Sequence, residues 1–310
     1  AGGLRRALHA RPHRSRERAG SLIAPSGGSR LRLASSARNP ALQLARALQT
    51  KKVRRERRLL VAEGEDLVDG ALARGIKPFA MLFNAEELQD GDPRVAATEG
   101  LAERYLVPPK LMGYASALAA APRVIAILPQ PAVRSFSDVR FPPSLGLYLA
   151  GVADPGNVGT LVRTGAALGA DWLALGPGSA DAFPPRAVRA AMGSTFAIPV
   201  LENVTPADLA TRAGFAVMAA VPRDGVAPWD ADLTQPLVIA LGAERLGLGP
   251  ALEGLSDGRE VIRVTIPQAE GAESLNVAAA GAALLAEGAR RSAAAPAAAQ
   301  GGLSDSLPGR

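Results

Sequence analysis

A chain of 310 residues, 48% hydrophobic and 21% charged, is long enough for two domains, because single cores rarely grow past about 250–300 residues, and too apolar to be disordered throughout. Cysteine is absent, which excludes disulfides, thiolate nucleophiles and cysteine-built metal centres, and the only histidines, His9 and His13, lie in a basic tail, so the folded body has no histidine for a triad or metal site. The net charge of +6 is unevenly placed, with 16 Lys and Arg against Glu17 and Glu56 in residues 1–60, and a basic end on an acidic body suits either a polyanion partner or a merely solvated face.

Residues 1–34 mix Gly, Arg, Ser, Ala and Pro without periodicity and read as a flexible basic arm. The arm has no apolar core ahead of a small-residue cleavage site, so no secretory signal is expected, whereas an organelle transit peptide stays open. A first α/β unit is expected over 35–128. Asn39 and Pro40 suit the N-cap and first position of a helix, with Leu42, Leu44, Ala45 and Leu48 as its apolar face, running on through Lys51, Lys52, Val53, Arg54 and Arg55. Residues 59–62 then read as a strand, 66–74 as a helix, and 79–83 and 124–128 as further strands. Residues 129–143 carry four prolines and form the expected linker.

A second α/β unit is expected over 144–291. Its strands are read at 147–152, 172–175, 215–220, 237–241 and 261–264, with helices at 158–168 and 274–290. Strands that are apolar throughout and separated by helices predict a parallel sheet covered on both faces. Residues 292–310 consist mainly of Ala, Gly, Pro and Ser and read as a disordered tail. No apolar run approaches the roughly 20 residues of a membrane span.

Three segments of the second unit follow strand ends, where open α/β sheets place ligands. They are Asp154-Pro155-Gly156-Asn157-Val158-Gly159 continuing to Arg163, then Leu241-Gly242-Ala243-Glu244-Arg245-Leu246-Gly247, then Ile266-Pro267 continuing to Ser274-Leu275-Asn276-Val277. Singly, each has an architectural reading: a turn with an Asn cap, a glycine turn before a surface acid, a serine N-cap, a solvated arginine. Together and in this order they resemble the three signature motifs of the SpoU-type ribose 2′-O-methyltransferases of the SPOUT superfamily. Asn-x-Gly-x-x-x-Arg is matched by Asn157, Gly159 and Arg163; Gly-x-Glu with a further Gly by Gly242, Glu244 and Gly247; Ile-Pro and Ser-Leu-Asn-Val by Ile266, Pro267, Ser274, Leu275, Asn276 and Val277. Residues 181–194 look like the family's intermotif stretch. Upstream, Ser36 to Pro40, Lys51 to Arg54 and Leu60 to Gly64 are similar to the L30e-like substrate-binding domain that precedes the catalytic domain in many members. The chain departs from the pattern at Arg245-Leu246, where many members have a glycine, and at Ala278, where a Ser is frequent.

The resemblance implies an α/β fold whose C-terminal parallel-sheet domain contains a trefoil knot, with S-adenosylmethionine as cofactor, a ribose 2′-hydroxyl of structured RNA as methyl acceptor, and a homodimer formed through the knotted domain. Large-subunit, 23S-type ribosomal RNA is the expected substrate; transfer RNA, and a catalytically inert RNA-binding or assembly protein, are the alternatives. Catalytic roles fall on Asn157, Arg163, Glu244, Ser274 and Asn276. Leu241, Gly242, Ile266, Leu275 and Asn276 would border the cofactor, and Arg38, Lys51, Lys52, Arg54 and Arg55 would meet RNA. No metal and no membrane are expected, and the expected location is the cytoplasm. The resemblance implies Arg163 as the general base, but a guanidinium holds its proton too tightly to serve readily as one, which points to a charged positioner instead.

Overall fold

The computed structural model describes residues 31–132, 136, 139, 145–212, 214–232, 236–244, 246–256, 260–271 and 274–294. Most of the expected arm, linker and tail, together with Arg245, lies outside the described residues.

The first unit contains β1 (Arg32–Leu33), α1 (Pro40–Ala47), α2 (Lys51–Arg57), β2 (Leu59–Glu63), α3 (Glu65–Leu72), β3 (Ala80–Asn84), α4 (Pro93–Ala97), β4 (Arg104–Val107), α5 (Pro109–Ala115) and β5 (Val124–Pro129). Its sheet has the order β1-β4-β3-β5-β2, with β1, β4 and β3 parallel and β5 antiparallel to both β3 and β2. The arm expected to extend to residue 34 therefore ends in a strand. Arg32 holds it there, with its guanidinium 4.6 Å from the Tyr105 ring centre and 2.7 Å from the Glu103 carboxylate.

Asn39 caps α1 by accepting from the Ala41 and Leu42 amides at 2.9 and 3.3 Å. The single helix expected to run past residue 51 is instead two. Thr50 is extended and restarts the chain as α2, and Arg54 folds back to donate to the Leu48 and Gln49 carbonyls at 2.9 and 2.8 Å. These carbonyls, which a continuous helix would have bonded internally, are satisfied by a side chain.

The second unit contains β6 (Leu145–Ala150), α6 (Pro155–Ala167), β7 (Trp172–Leu175), α7 (Pro185–Ala191), β8 (Val200–Glu202), α8 (Pro206–Ala210), β9 (Ala216–Ala220), β10 (Leu237–Gly242), α9 (Pro250–Leu255), β11 (Val261–Val264) and α10 (Val277–Ala294). All neighbours in its sheet, β11-β9-β10-β6-β7-β8, run parallel. As the continuous apolar runs predict, β6, β7 and β10 are buried along their whole length. From β6 the chain builds outward to β7 and β8, then returns on the other side through β9 and β10. The order thus reverses between β6 and β10, and Ala150 and Gly242 end the two strands at the same level. The helices that follow them pack on opposite faces, α6 on one and α9 on the other, and open α/β sheets bind ligands at such a switch point.

Alternate residues of β6 point to opposite faces. Leu147 and Leu149 join a core that continues through α6 and α10 into β2, α3 and β5 of the first unit, while Tyr148 and Ala150 join a second core on the far face. The two units therefore share apolar surface. Gly70 on α3 and Gly193 just after α7 approach so closely that a Cβ on either would stand 3.3 Å from the other's Cα. No helix among the described residues is long and apolar enough to cross a membrane.

Near the end of α10, Glu287 accepts from Arg290 and Arg291, and Arg291 donates onward to the Ala231 and Pro228 carbonyls at 2.8 Å each. Hydrogen bonding from Arg290, reinforced by Arg291, holds the Glu287 carboxyl down at about 2, below its ordinary 4.5. A depressed carboxyl pKa contributes stability that is fully present above the unfolded value and is lost as pH falls toward the folded one. Melting temperatures of Glu287→Gln should therefore fall less steeply than those of the parent between pH 4.5 and 2; parallel pH profiles would contradict this.

Candidate active site

Two helix starts lie beside these strand ends, and each differs from the expected cap. Helix α6 begins at Pro155 rather than 158, and its cap is Asp154, whose Oδ1 accepts from the Gly156 and Asn157 amides at 2.7 and 3.1 Å. The Asn157 side chain is therefore free for other work. Helix α10 begins at Val277 rather than 274, and its cap is Asn276, whose Oδ1 accepts from the Ala278 and Ala279 amides at 2.9 and 3.3 Å. Ser274 is exposed, outside the helix, and caps no helix among the described residues.

The amide groups left over meet Glu244, which sits exposed in the turn after β10. Asn157 Nδ2 donates to Glu244 Oε1 at 2.7 Å. Asn276 Nδ2 lies 3.3 Å from the same oxygen and 3.2 Å from Asn157 Oδ1. One residue from each of the three segments thus enters a single network, although they are far apart in sequence. The other two residues given catalytic roles stand outside it. Ser274 is two positions from Asn276, and Arg163 is exposed on α6 with no hydrogen bond or ion pair among the described residues. Six residues at 3.6 per turn place Arg163 about 120° around the helix from Asn157.

The motif glycines have identifiable steric causes. A Cβ on Gly242 would stand 2.0–2.2 Å from the Gly247 carbonyl and the Leu248 nitrogen, because the loop folds back and Ala243 and Gly247 exchange backbone hydrogen bonds of 2.9 and 2.8 Å. The backbone that approaches Gly242 is thus the chain's own. A Cβ on Gly159 would stand 2.2 Å from the Ala187 carbonyl oxygen on α7.

Of the residues expected to border a cofactor, Leu241 is buried with its side chain toward Gly281 on α10, and Ile266 packs partly buried on the core. Leu275 is 42% exposed, and Leu246, in the same loop as Glu244, is 82% exposed. Among the described residues no group of acidic side chains could hold a metal ion.

The residues expected to meet RNA divide. Arg38, Lys51 and Lys52 are exposed. Arg54 is 3% exposed and donates to Asp181 of the second unit at 2.7 Å, so it is a docking residue and not a phosphate contact. Arg55 is exposed but paired with Glu202 at 2.5 Å; both line a cavity of about 310 Å³ with Arg58, Gln130, Pro131 and Ala132. That cavity lies where the two units meet, with none of the three motif segments in its lining. The sequence reading missed Asp154 as a cap, although Asp-Pro is an N-cap and first-position pair. Glu63, Asp181 and Arg189 lie in stretches that resemble the family, but no local pattern marks them as bonding across the units.

The profile of the SpoU rRNA methylase family matches residues 144–286. A 23S rRNA uridine 2′-O-methyltransferase of Streptomyces viridochromogenes is 30% identical over 275 residues, covering 83% of this chain and 91% of the relative. A 23S rRNA guanosine 2′-O-methyltransferase of Bacillus subtilis is 29% identical over 254 residues, covering 81% and 96%. Among solved structures, an S-adenosylmethionine-bound rRNA methyltransferase of Sinorhizobium meliloti superposes with a TM-score of 0.71 at 32% identity, covering 84% of this chain and 98% of that one.

Proposed function

Because this chain belongs to the SpoU rRNA methylase family, we propose that it transfers the methyl group of S-adenosylmethionine to a ribose 2′-hydroxyl of large-subunit ribosomal RNA. The observation that carries this reading is the Asn157–Glu244–Asn276 network, which joins three motif segments at the switch point of a parallel sheet. The uridine and guanosine enzymes of Streptomyces and Bacillus share 2′-O-methylation of 23S rRNA and differ in the base named, so the shared chemistry is that of the sugar.

The residues present suit the cofactor. Leu246 and Leu275 leave large apolar surface uncovered in the two loops that carry Glu244 and Asn276, as a ligand with an aromatic base and an aliphatic chain requires. Bound there, S-adenosylmethionine supplies a methyl group activated on a sulfonium. Leu246, Leu275 and the backbone of the loop between Gly242 and Gly247 would hold it. Asn157 and Asn276, fixed through Glu244, orient the ribose, and positioning of this kind contributes about 7–11 kcal/mol in favourable cases. Arg163 and Ser274 complete the site when RNA is in place. Arg163, exposed and without a carboxylate partner among the described residues, holds an RNA phosphate and stabilises the developing alkoxide. Arg38, Lys51 and Lys52 of the first unit contact further phosphates, each lost contact lowering the salt dependence of binding by about one counterion. A homodimer, a trefoil knot closed by α10 against α6 and β10, and a cytoplasmic location belong to the same reading.

The test is cofactor titration by calorimetry, followed by transfer of a labelled methyl group to ribosomal and transfer RNA with mapping of ribose methylation. Measurable cofactor affinity and label on a ribosomal ribose are expected. Absent affinity, or label on transfer RNA alone, would overturn the proposal.

A further inference from the structure

Helix α7 is bonded to both units. Arg189 Nη1 donates to Glu63 Oε2 at 2.6 Å, and the Glu63 side chain, at the end of β2, is 1% exposed. The other Glu63 oxygen accepts from Ser116 Oγ at 2.8 Å and the Ala117 amide at 2.6 Å, so Glu63 anchors α7 to the body of the first unit. Four residues before α7, Asp181 receives the buried Arg54 guanidinium at 2.7 Å. On its other side α7 lies directly on α6. Gly159 leaves so little room that a Cβ would stand 2.2 Å from the Ala187 carbonyl oxygen and 2.8 Å from Ala190 Cβ. Arg186, 65% exposed, pairs with Asp154 Oδ2 at 2.7 Å, and the other Asp154 oxygen caps α6 at Gly156 and Asn157.

We propose that Arg189 and Arg186 are positioning residues for the methyl transfer, and that α7 is the strut by which the first unit sets the placement of Asn157. The proposal rests on the methyltransferase reading above. Its physical basis is stiffness at each joint. Undocking Arg189 would leave a buried carboxylate without its ion-pair partner, which is strongly unfavourable. Helices in backbone contact cannot slide without disturbing close packing. RNA held by the first unit would then present its ribose at a fixed offset from Asn157, and the identity of the methylated nucleotide would be set partly by this docking geometry.

Arg189→Gln, Arg186→Gln and Arg189→Lys, each made in the full chain, test this by steady-state methylation and by hydrogen exchange over residues 156–162. Both Gln variants should lower kcat at saturating RNA by about tenfold, since small misplacements are costly at reacting centres, while cofactor affinity is unchanged. Arg189→Lys should recover most of the rate, and exchange over 156–162 should quicken in both Gln variants. Arg186 is exposed, so its variant will fold even if Arg189→Gln does not. Unchanged kcat and unchanged exchange in Arg186→Gln and Arg189→Gln would overturn the strut, as would a fall in cofactor affinity equal to the fall in kcat. If the parent chain transfers no methyl group, the functional reading fails, and exchange alone still decides whether α7 holds α6.

Discussion

Glu244→Ala is expected to lower methyl transfer to RNA by about 10²–10³-fold, the range found when one preorganised polar group is removed from a reacting centre, and to leave folding nearly intact. Glu244 Oε1 is the common acceptor for Asn157 and Asn276. Without it the two amides lose their shared acceptor and keep only their own 3.2 Å hydrogen bond. Nothing apolar is uncovered, because Glu244 is exposed in a turn, so the stability change should stay within about 0.5 kcal/mol, as for most surface substitutions. Single-turnover methylation alongside thermal melting measures both. Glu244→Gln keeps an acceptor oxygen and should recover part of the rate. Activity within threefold of the parent in Glu244→Ala would show that the network does not position the acceptor.

Arg54→Ala should be strongly destabilising, costing about 3–5 kcal/mol, as removal of one partner from a buried ion pair does. The variant leaves Asp181, whose side chain is 11% exposed, without its guanidinium, and removes the donors to the Leu48 and Gln49 carbonyls. Urea denaturation of parent and variant gives the difference, and a loss under 1 kcal/mol would refute the docking role. Lys52→Ala, on the exposed face of the same short helix, should leave stability unchanged and weaken RNA binding in a salt-dependent way. The two substitutions separate charges that composition alone treats as equivalent. Lysine and arginine density in residues 51–58 points to a polyanion surface, yet the register of α2 turns Arg54 inward and leaves Lys51 and Lys52 outside.

Much of the architecture could be read directly. Strands β6, β7 and β10 are unbroken apolar runs because both faces of the sheet are covered, and this is the pattern that predicts a parallel sheet. Asn39-Pro40 announced the start of α1, and the three motif segments were recognisable because each needs particular residue types next to a strand end. The caps were harder. At 154–157 the sequence offers two side chains able to cap, Asp154 and Asn157, and local pattern does not say which one accepts the amides. Near 274–276, Ser274 and Asn276 pose the same ambiguity. At 154–157 the outcome frees the whole Asn157 amide for the site, whereas at 274–276 one amide does both, its Oδ1 capping α10 and its Nδ2 entering the network.

By itself the sequence determined the type of the longer elements, the parallel direction of a buried sheet, the lack of cysteine and of any histidine beyond His13, and which loops carry polar groups, because these follow from periodicity, composition and turn chemistry within a few residues. Only the tertiary structure decided that Asn157, Glu244 and Asn276 meet while Arg163 and Ser274 stand apart, and that Arg54 and Glu63 serve docking. Those outcomes depend on contacts between residues far apart in the chain, whose distances are set by packing of whole helices and sheets and not by any neighbour in sequence.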